Sequence, residues 1–309
     1  MSLARSLLLT ASRSPWLAEQ FRRRAFARRA VRRFMPGEDL ASALDAAASL
    51  APAGLGTVVT ALGERVTNRA EAEAVRDHYL QVLEEVRARA LPTQPSVKLT
   101  HLGLDVDRTL CVASVGALAE RAAATGSFVW IDIEESHYVD ATLEVFRSVR
   151  ATSDRVGLCL QAYLHRTPDD LASLLAMGAA IRLVKGAYRE PPSVAFADKR
   201  DVDAAYARLG EQMLRSAADR TGGLPVFGTH DLALVERLRS RADALRLERG
   251  AWEVHMLYGI RSAEQRTLAA SGVAVRVLVS YGTHWFPWYV RRLAERPANV
   301  WFVVRSLIS

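Results

Sequence analysis

Residues 156–186, "VGLCLQAYLHRTPDDLASLLAMGAAIRLVKG", carry the reading on which the fold turns. "VGLCLQAY" (156–163) is a nearly continuous apolar run, the pattern of a strand covered on both faces. "TPDD" (167–170) then offers a threonine cap with proline at the first helical position, and Gly178 stands where that helix should end. "AIRLVKG" (180–186) is a second apolar run. A strand, a helix and another strand make one unit of a parallel sheet.

The same alternation extends both ways. Further strands are expected at "TVVTAL" (57–62), "SVKLT" (96–100), "SFVWIDI" (127–133), "PVFGTH" (225–230), "WEVHML" (252–257) and "VAVRVLVS" (273–280). "NRAE" (68–71) and "SAEQ" (262–265) have capping-box spacing, and Gly272 marks another helix end. Val75, Tyr79, Val82 and Val86, like Val139, Leu143 and Phe146, recur at helical spacing and supply buried faces. Eight such units over about 250 residues is the count of a TIM barrel. A doubly wound open sheet is the rival, but neither GxGxxG nor GxxxxGK[ST] occurs. The sequence therefore predicts a (βα)8 barrel over residues 51–309, preceded by a helical arm over 1–50 that includes a short helix in "PGEDLASALDAAASLAP" (36–52).

The chain has 309 residues, half of them hydrophobic, which is ample for one large core. Cys111 and Cys159 lie in apolar stretches without CxxC spacing, so buried free thiols in a reducing, cytoplasmic compartment are expected. No apolar window is long enough to span a membrane. Net charge is +7, and residues 1–37 hold nine arginines against the single acid Glu19. Leu17, Phe21, Phe26, Ala30 and Phe34 recur near helical spacing among them, a pattern that suits either a helix packed on the main domain or one lying on an anionic membrane surface. Nucleic acid is not an expected partner, because no recognition module or second basic stripe accompanies the arm.

A barrel places its chemistry at the C-terminal ends of its strands. Those positions hold Lys98, Asp132 with Glu134 and Glu135, Gln161, Arg182 with Lys185, Thr229 with His230, and His255. Ionisable groups ending so many apolar strands are costly unless paired or used, and together they point to a polar, largely anionic ligand. Metal-dependent hydrolysis fits poorly, since the seven histidines show neither HxH nor HExxH spacing. A Schiff-base aldolase could use Lys185. A flavin or other nucleotide would use guanidinium, amide and backbone groups, which this set supplies. A non-catalytic barrel docked through its basic arm is the remaining reading. Arg291 and Arg292 add two adjacent guanidinium forks beside Trp285, Phe286, Trp288 and Tyr289; Glu295 follows Arg291 in the weaker order for a helical ion pair.

The motifs "KLTHLGLD", "IDIEES", "LQAYLHRTPDDL", "IRLVKGAYREP", "GTHD", "HMLYGIR" and "YGTHWFPWYVRRLAERPAN" resemble, in order and spacing, the monofunctional bacterial proline dehydrogenases, from about residue 30 onward. The resemblance implies a distorted barrel that holds FAD, oxidises L-proline to Δ1-pyrroline-5-carboxylate by hydride transfer to flavin N5, and passes electrons to a membrane quinone. It implies a carboxylate clamp of Arg291, Arg292 and Lys98, with Tyr289 closing off water and Glu295 supporting the arginine helix and the flavin side. It makes Asp132 the active-site acid and puts Arg182 near flavin N5, with Ile133, Gln161, Lys185, Gly186, Ala187, Thr229 and His230 lining the cofactor. Two positions depart from the family: Leu278 stands where a tyrosine usually packs on the proline ring, and His255 where glutamine or glutamate is usual. The first opens the alternative of a related cyclic imino acid, 4-hydroxyproline, as substrate.

Overall fold

The computed structural model of the chain describes residues 31–286. Eight strands pair in chain order into one closed barrel: β1 (Gly56–Ala61), β2 (Thr93–Val97), β3 (Val129–Ile131), β4 (Val156–Gln161), β5 (Ala180–Val184), β6 (Pro225–Gly228), β7 (Glu253–Leu257) and β8 (Ala274–Tyr281). Every pair is parallel, and β8 closes on β1 with Ser280 beside Thr60. The expected barrel is the fold observed.

Helices α2 (Arg69–Ala88), α3 (Arg108–Thr125), α4 (Val139–Arg150), α5 (Thr167–Leu175), α6 (Lys199–Ala218), α7 (Leu232–Ala244) and α8 (Ser262–Ala270) follow β1 to β7 in turn. Helix α1 (Leu40–Leu50) precedes β1 and buries Ala43, Leu44, Ala47 and Leu50 against β1 and β8. That is the seat a helix following β8 takes in a regular barrel. Trp285, just after β8, is buried and donates from its indole Nε1 to Glu38 Oε1 at 2.8 Å, tying the chain beyond β8 to the segment before α1.

Local signals explain most element ends. Asn68 caps α2 by accepting from Glu71 N at 2.9 Å, while Glu71 reaches back to Thr67 N at 2.9 Å. The two other expected caps do not form. Thr167 is already helical, and its buried hydroxyl donates to Gln161 O at 2.5 Å, fastening α5 to the end of β4. At α8, the Gln265 amide Nε2 donates to Leu257 O and Ile260 O at 3.0 and 2.8 Å, so its side chain is turned onto the loop from β7 instead of back to the helix start. β2 also starts earlier than its apolar run. Pro95 argues against a strand in sequence, yet it sits opposite Val59, and the hydroxyls of Thr57 and Thr93 meet at 2.7 Å.

Alternation along each strand divides the core in two. Val59, Val97, Ile131, Leu158, Leu183, Val254 and Val277 face the helices. Val58, Trp130 and Val226 face the bore, with Leu278 packed against them. Gly157 makes room for the indole: a Cβ there would lie 2.6 Å from Trp130 Cζ3. Trp130 thus forms a platform in mid-bore, with its Nε1 donating to Gln94 Oε1 at 2.8 Å.

Candidate active site

A barrel bore is ordinarily filled by branched aliphatic side chains. Here it carries a column of polar groups. At the base, Arg276 donates to Pro92 O at 3.1 Å and to Glu253 Oε2 at 2.8 Å. His255 Nε2 lies 3.0 Å from the same carboxylate oxygen. The His255 ring meets Trp130 edge-on at 5.6 Å between centroids, and the Arg182 guanidinium stacks over that indole at 5.1 Å. Above it, Arg182 Nη2 donates to Ser96 Oγ at 2.8 Å and to the Asp132 carboxylate, which also accepts from Ser96 Oγ at 2.9 Å. The charge pair is deep, with Arg182 only 3% exposed, so each partner depends on the other.

The mouth above this column gathers several of the residues singled out in the sequence. Lys98 reaches Glu64 at 3.1 Å. Gln161 is buried and donates to Glu134 O at 3.0 Å. Leu278 lines the wall between β7 and β1. Two of those singled out turn their side chains away from the bore. Ile133 turns its side chain into the helix-facing core. Lys185 lies one step out of phase with Arg182, and its ammonium is held by Asp203 at 2.5 Å and Asp231 at 2.8 Å. A Schiff-base nucleophile must present a free neutral amine, and two carboxylates on this ammonium work against that role. Gly186, at φ +118°, lies with its backbone against the Tyr163 ring, and Ala187 is exposed. Thr229 accepts from Asp231 N at 3.1 Å, and His230 Nε2 accepts from Leu257 N at 2.9 Å. Tyr289, Arg291, Arg292 and Glu295 lie outside the described residues, as do residues 1–30 of the basic arm. Sequence reasoning passed over Ser96, Trp130, Glu253 and Arg276. Ser96 and Trp130 each sit two residues before a residue that was singled out (Lys98 and Asp132), so strand alternation was a usable signal.

A family profile described as "Proline dehydrogenase" matches residues 43–305. "Proline dehydrogenase" of Deinococcus radiodurans is 34% identical over 312 aligned residues, covering 99% of this chain and 98% of that protein. The chain belongs to the proline dehydrogenase family. Its reaction is the oxidation of proline. "Proline dehydrogenase 1" of Bacillus subtilis subsp. natto is 33% identical, covering 90% of this chain and 91% of the other. A crystal structure of proline utilization A from Bdellovibrio bacteriovorus, inactivated by N-propargylglycine, matches with a TM-score of 0.79 at 22% identity. That match covers 86% of this chain but 32% of the longer protein, and shows the same barrel.

In this proline dehydrogenase barrel the buried groups are poised by their surroundings. Burial, with the Arg182 and Arg276 charges beside it, lowers His255 to about 4 despite the hydrogen bond to Glu253. Burial would raise Glu253, yet the His255 bond and the Arg276 charge outweigh it and lower the carboxyl to about 2. His101 is brought to about 4 by burial and the Lys98 charge. Glu134 is raised to about 7 by burial, although Thr100 donates to it from both its amide and its hydroxyl.

These shifts predict how stability follows pH. The two histidines stay neutral in the folded chain while the unfolded chain takes up protons below 6.5, so their contribution is lost as pH falls from 6.5 towards 4. Glu134 acts oppositely, its contribution being lost as pH rises from 4.5 to 7. His78 is lowered by burial as well, so the histidines outnumber the one raised carboxyl by at least one proton, and unfolding free energy should fall by about 1 kcal/mol or more per pH unit from pH 6.5 to 4.5. Urea titrations at those two pH values measure it, and a flat profile contradicts the assignment.

Proposed function

We propose that the enzyme is FAD-dependent and converts L-proline to Δ1-pyrroline-5-carboxylate, with a quinone as the final electron acceptor. The observation that carries this reading is Arg182. Its Nη2 is committed to Asp132 and Ser96, while Nη1 is buried without a hydrogen-bond partner in the bore. A buried, unpaired donor on a fixed cation fits the edge of an isoalloxazine ring, where positive charge favours the reduced anion. Gln161 nearby supplies an amide. When bound, FAD supplies the acceptor for the hydride that leaves the ring carbon beside the proline nitrogen.

The protein's own part is to bind and orient. Asp132 and Ser96 hold the Arg182 guanidinium in one plane over Trp130. Lys98, with Arg291 and Arg292, fixes the substrate carboxylate, because guanidinium forks set the direction of a small rigid acid as a single ammonium does not. Tyr289 closes the site against water, and Glu295 supports the arginine-bearing segment. Ala187, Thr229 and His230 would lie along the cofactor, with Ile133 and Lys185 contributing backbone only, since their side chains turn away from the bore. A carboxylate held in this way makes the transfer nearly unimolecular.

The deciding experiment is a spectrum. The purified protein should show flavin absorbance that bleaches when proline is added without oxygen. A colourless protein that FAD does not reconstitute removes the flavin reading. Leu278 packs in the bore against Val58, Trp130 and Val226, so it presents an apolar wall with no hydroxyl. Such a wall rejects an added substrate hydroxyl weakly, by about 10²-fold at most. Proline should therefore be used with a raised KM and modest discrimination against 4-hydroxyproline, and Leu278→Tyr should sharpen that preference in kcat/KM. An unchanged ratio removes Leu278 from the ring contact.

The reading for residues 1–50 is a basic helical arm ahead of the barrel domain, working in the cytoplasm at the inner face of the membrane where the quinone lies. Nine arginines in residues 1–37 support it. No helix among the described residues is long and apolar enough to cross a membrane; the association in this reading is peripheral. Co-sedimentation with anionic vesicles should weaken with salt and with deletion of residues 1–33; binding that the deletion leaves unchanged rules the arm out.

A further inference from the structure

Two polar atoms belonging to the column described above are left over, and they are complementary. Arg182 Nη1 is a donor and His255 Nδ1 an acceptor, both buried and both without a hydrogen-bond partner. Their side chains flank one ring: the guanidinium lies 5.1 Å from the Trp130 ring centroid, and the imidazole meets the same indole at 5.6 Å. The acceptor character of Nδ1 follows from the other ring nitrogen. His255 Nε2 faces Glu253 Oε2, which also takes a hydrogen bond from Arg276 and is an ionised acceptor. Nε2 must therefore carry the proton, and a neutral imidazole then has its lone pair on Nδ1. Arg182 and Arg276 are the cations that face this ring, and both disfavour a second proton on it.

We infer that His255 is a positioning residue for Arg182: its Nδ1 accepts from Arg182 Nη1 through one bridging water, so that Asp132 and His255 hold the two arms of the guanidinium. The column then runs unbroken from Pro92 at the base to Asp132 at the mouth. Its lower half, Arg276 and Glu253, sets the tautomer that the upper half needs. His255 thereby acts through Arg182 rather than on the substrate. The inference rests on the reading of Arg182 as the cation beside the electron acceptor, but the contact itself can be tested without that reading.

Selective 15N-histidine labelling of the intact protein tests the contact. At pH 7 the His255 signals should show Nε2 protonated and Nδ1 bare, and Arg182→Lys should move the Nδ1 signal. A protonated Nδ1, or an Nδ1 signal indifferent to Arg182→Lys, overturns the proposal whatever the catalytic role of Arg182. Kinetics test the consequence. Nη1 carries two hydrogens, one for the flavin edge and one for His255; His255→Leu leaves the second without an acceptor and should lower kcat for proline by about tenfold, the effect of one unsatisfied buried donor, with KM nearly unchanged. His255→Gln restores an acceptor oxygen and should recover most of that loss. A leucine variant with full cofactor and wild-type kcat, or a glutamine variant no better than leucine, overturns it. If His255→Leu does not fold, the labelled wild-type protein still decides. Wild-type protein that shows the labelled contact but never oxidises proline would instead fault the functional reading.

Discussion

Arg182→Leu is expected to lower kcat for proline by roughly 10²–10³-fold, the usual effect of deleting one preorganised group that stabilises developing charge. The guanidinium is 3% exposed, stacked on Trp130 and bound to Asp132, so no water or neighbouring side chain can take its place. The same change leaves the Asp132 carboxylate, among the described residues, with the Ser96 hydroxyl as its side-chain partner, and removing one partner of a buried pair costs about 3–5 kcal/mol of stability. Arg182→Lys should keep much of that stability, since an ammonium can still face Asp132, while losing the second arm and most of the rate. Turnover with an artificial electron acceptor, normalised to bound flavin, separates the two effects. A leucine variant that retains flavin and more than about a tenth of wild-type kcat would remove Arg182 from the chemistry.

Arg291→Met and Arg292→Met should each lower kcat/KM for proline by about 30- to 5,000-fold, from the 2–5 kcal/mol lost when one partner of a desolvated charge pair is truncated. The described part of the site gives a reason to need them. Lys98 is a cation at the mouth, but Glu64 lies 3.1 Å from it and offsets much of its charge. A proline carboxylate placed there with Lys98 alone would meet almost as much negative as positive charge. Two further guanidinium groups would reverse that balance. Flavin content should be nearly unaffected, because the loss falls on the substrate. Near-normal kcat/KM in either variant, at full flavin load, would return these arginines to the protein surface.

The eight strands could be counted in the sequence because each is a short apolar run bounded by turn residues, and burial on both faces imposes that pattern locally. The cap at Asn68 was legible for the same reason: it joins residues three apart. Lys98, Asp132, Gln161 and Arg182 could be picked out as strand-end polar groups before any partner was known. Their partners could not. Arg182 and Asp132 are 50 residues apart and sit on non-adjacent strands, so only closure of the barrel brings them together. Lys185 looked equivalent to Arg182 at the end of β5. An odd spacing of three puts their side chains on opposite faces of the strand, and Lys185 pairs with Asp203 and Asp231 instead of entering the bore.

The sequence by itself determined the barrel, the alternation of its layers and the chemical character of its mouth, because periodicity and residue type act over a few neighbours. Tertiary structure decided which polar groups share the bore, that Trp130 lies across it where Gly157 leaves space, and that α1 fills the place beside β1 and β8. It also decided that His255, Glu253 and Arg276 stand beneath Arg182. Those outcomes depend on strand parity and on which strands face each other across a closed cylinder, and neither is fixed until the last strand pairs with the first.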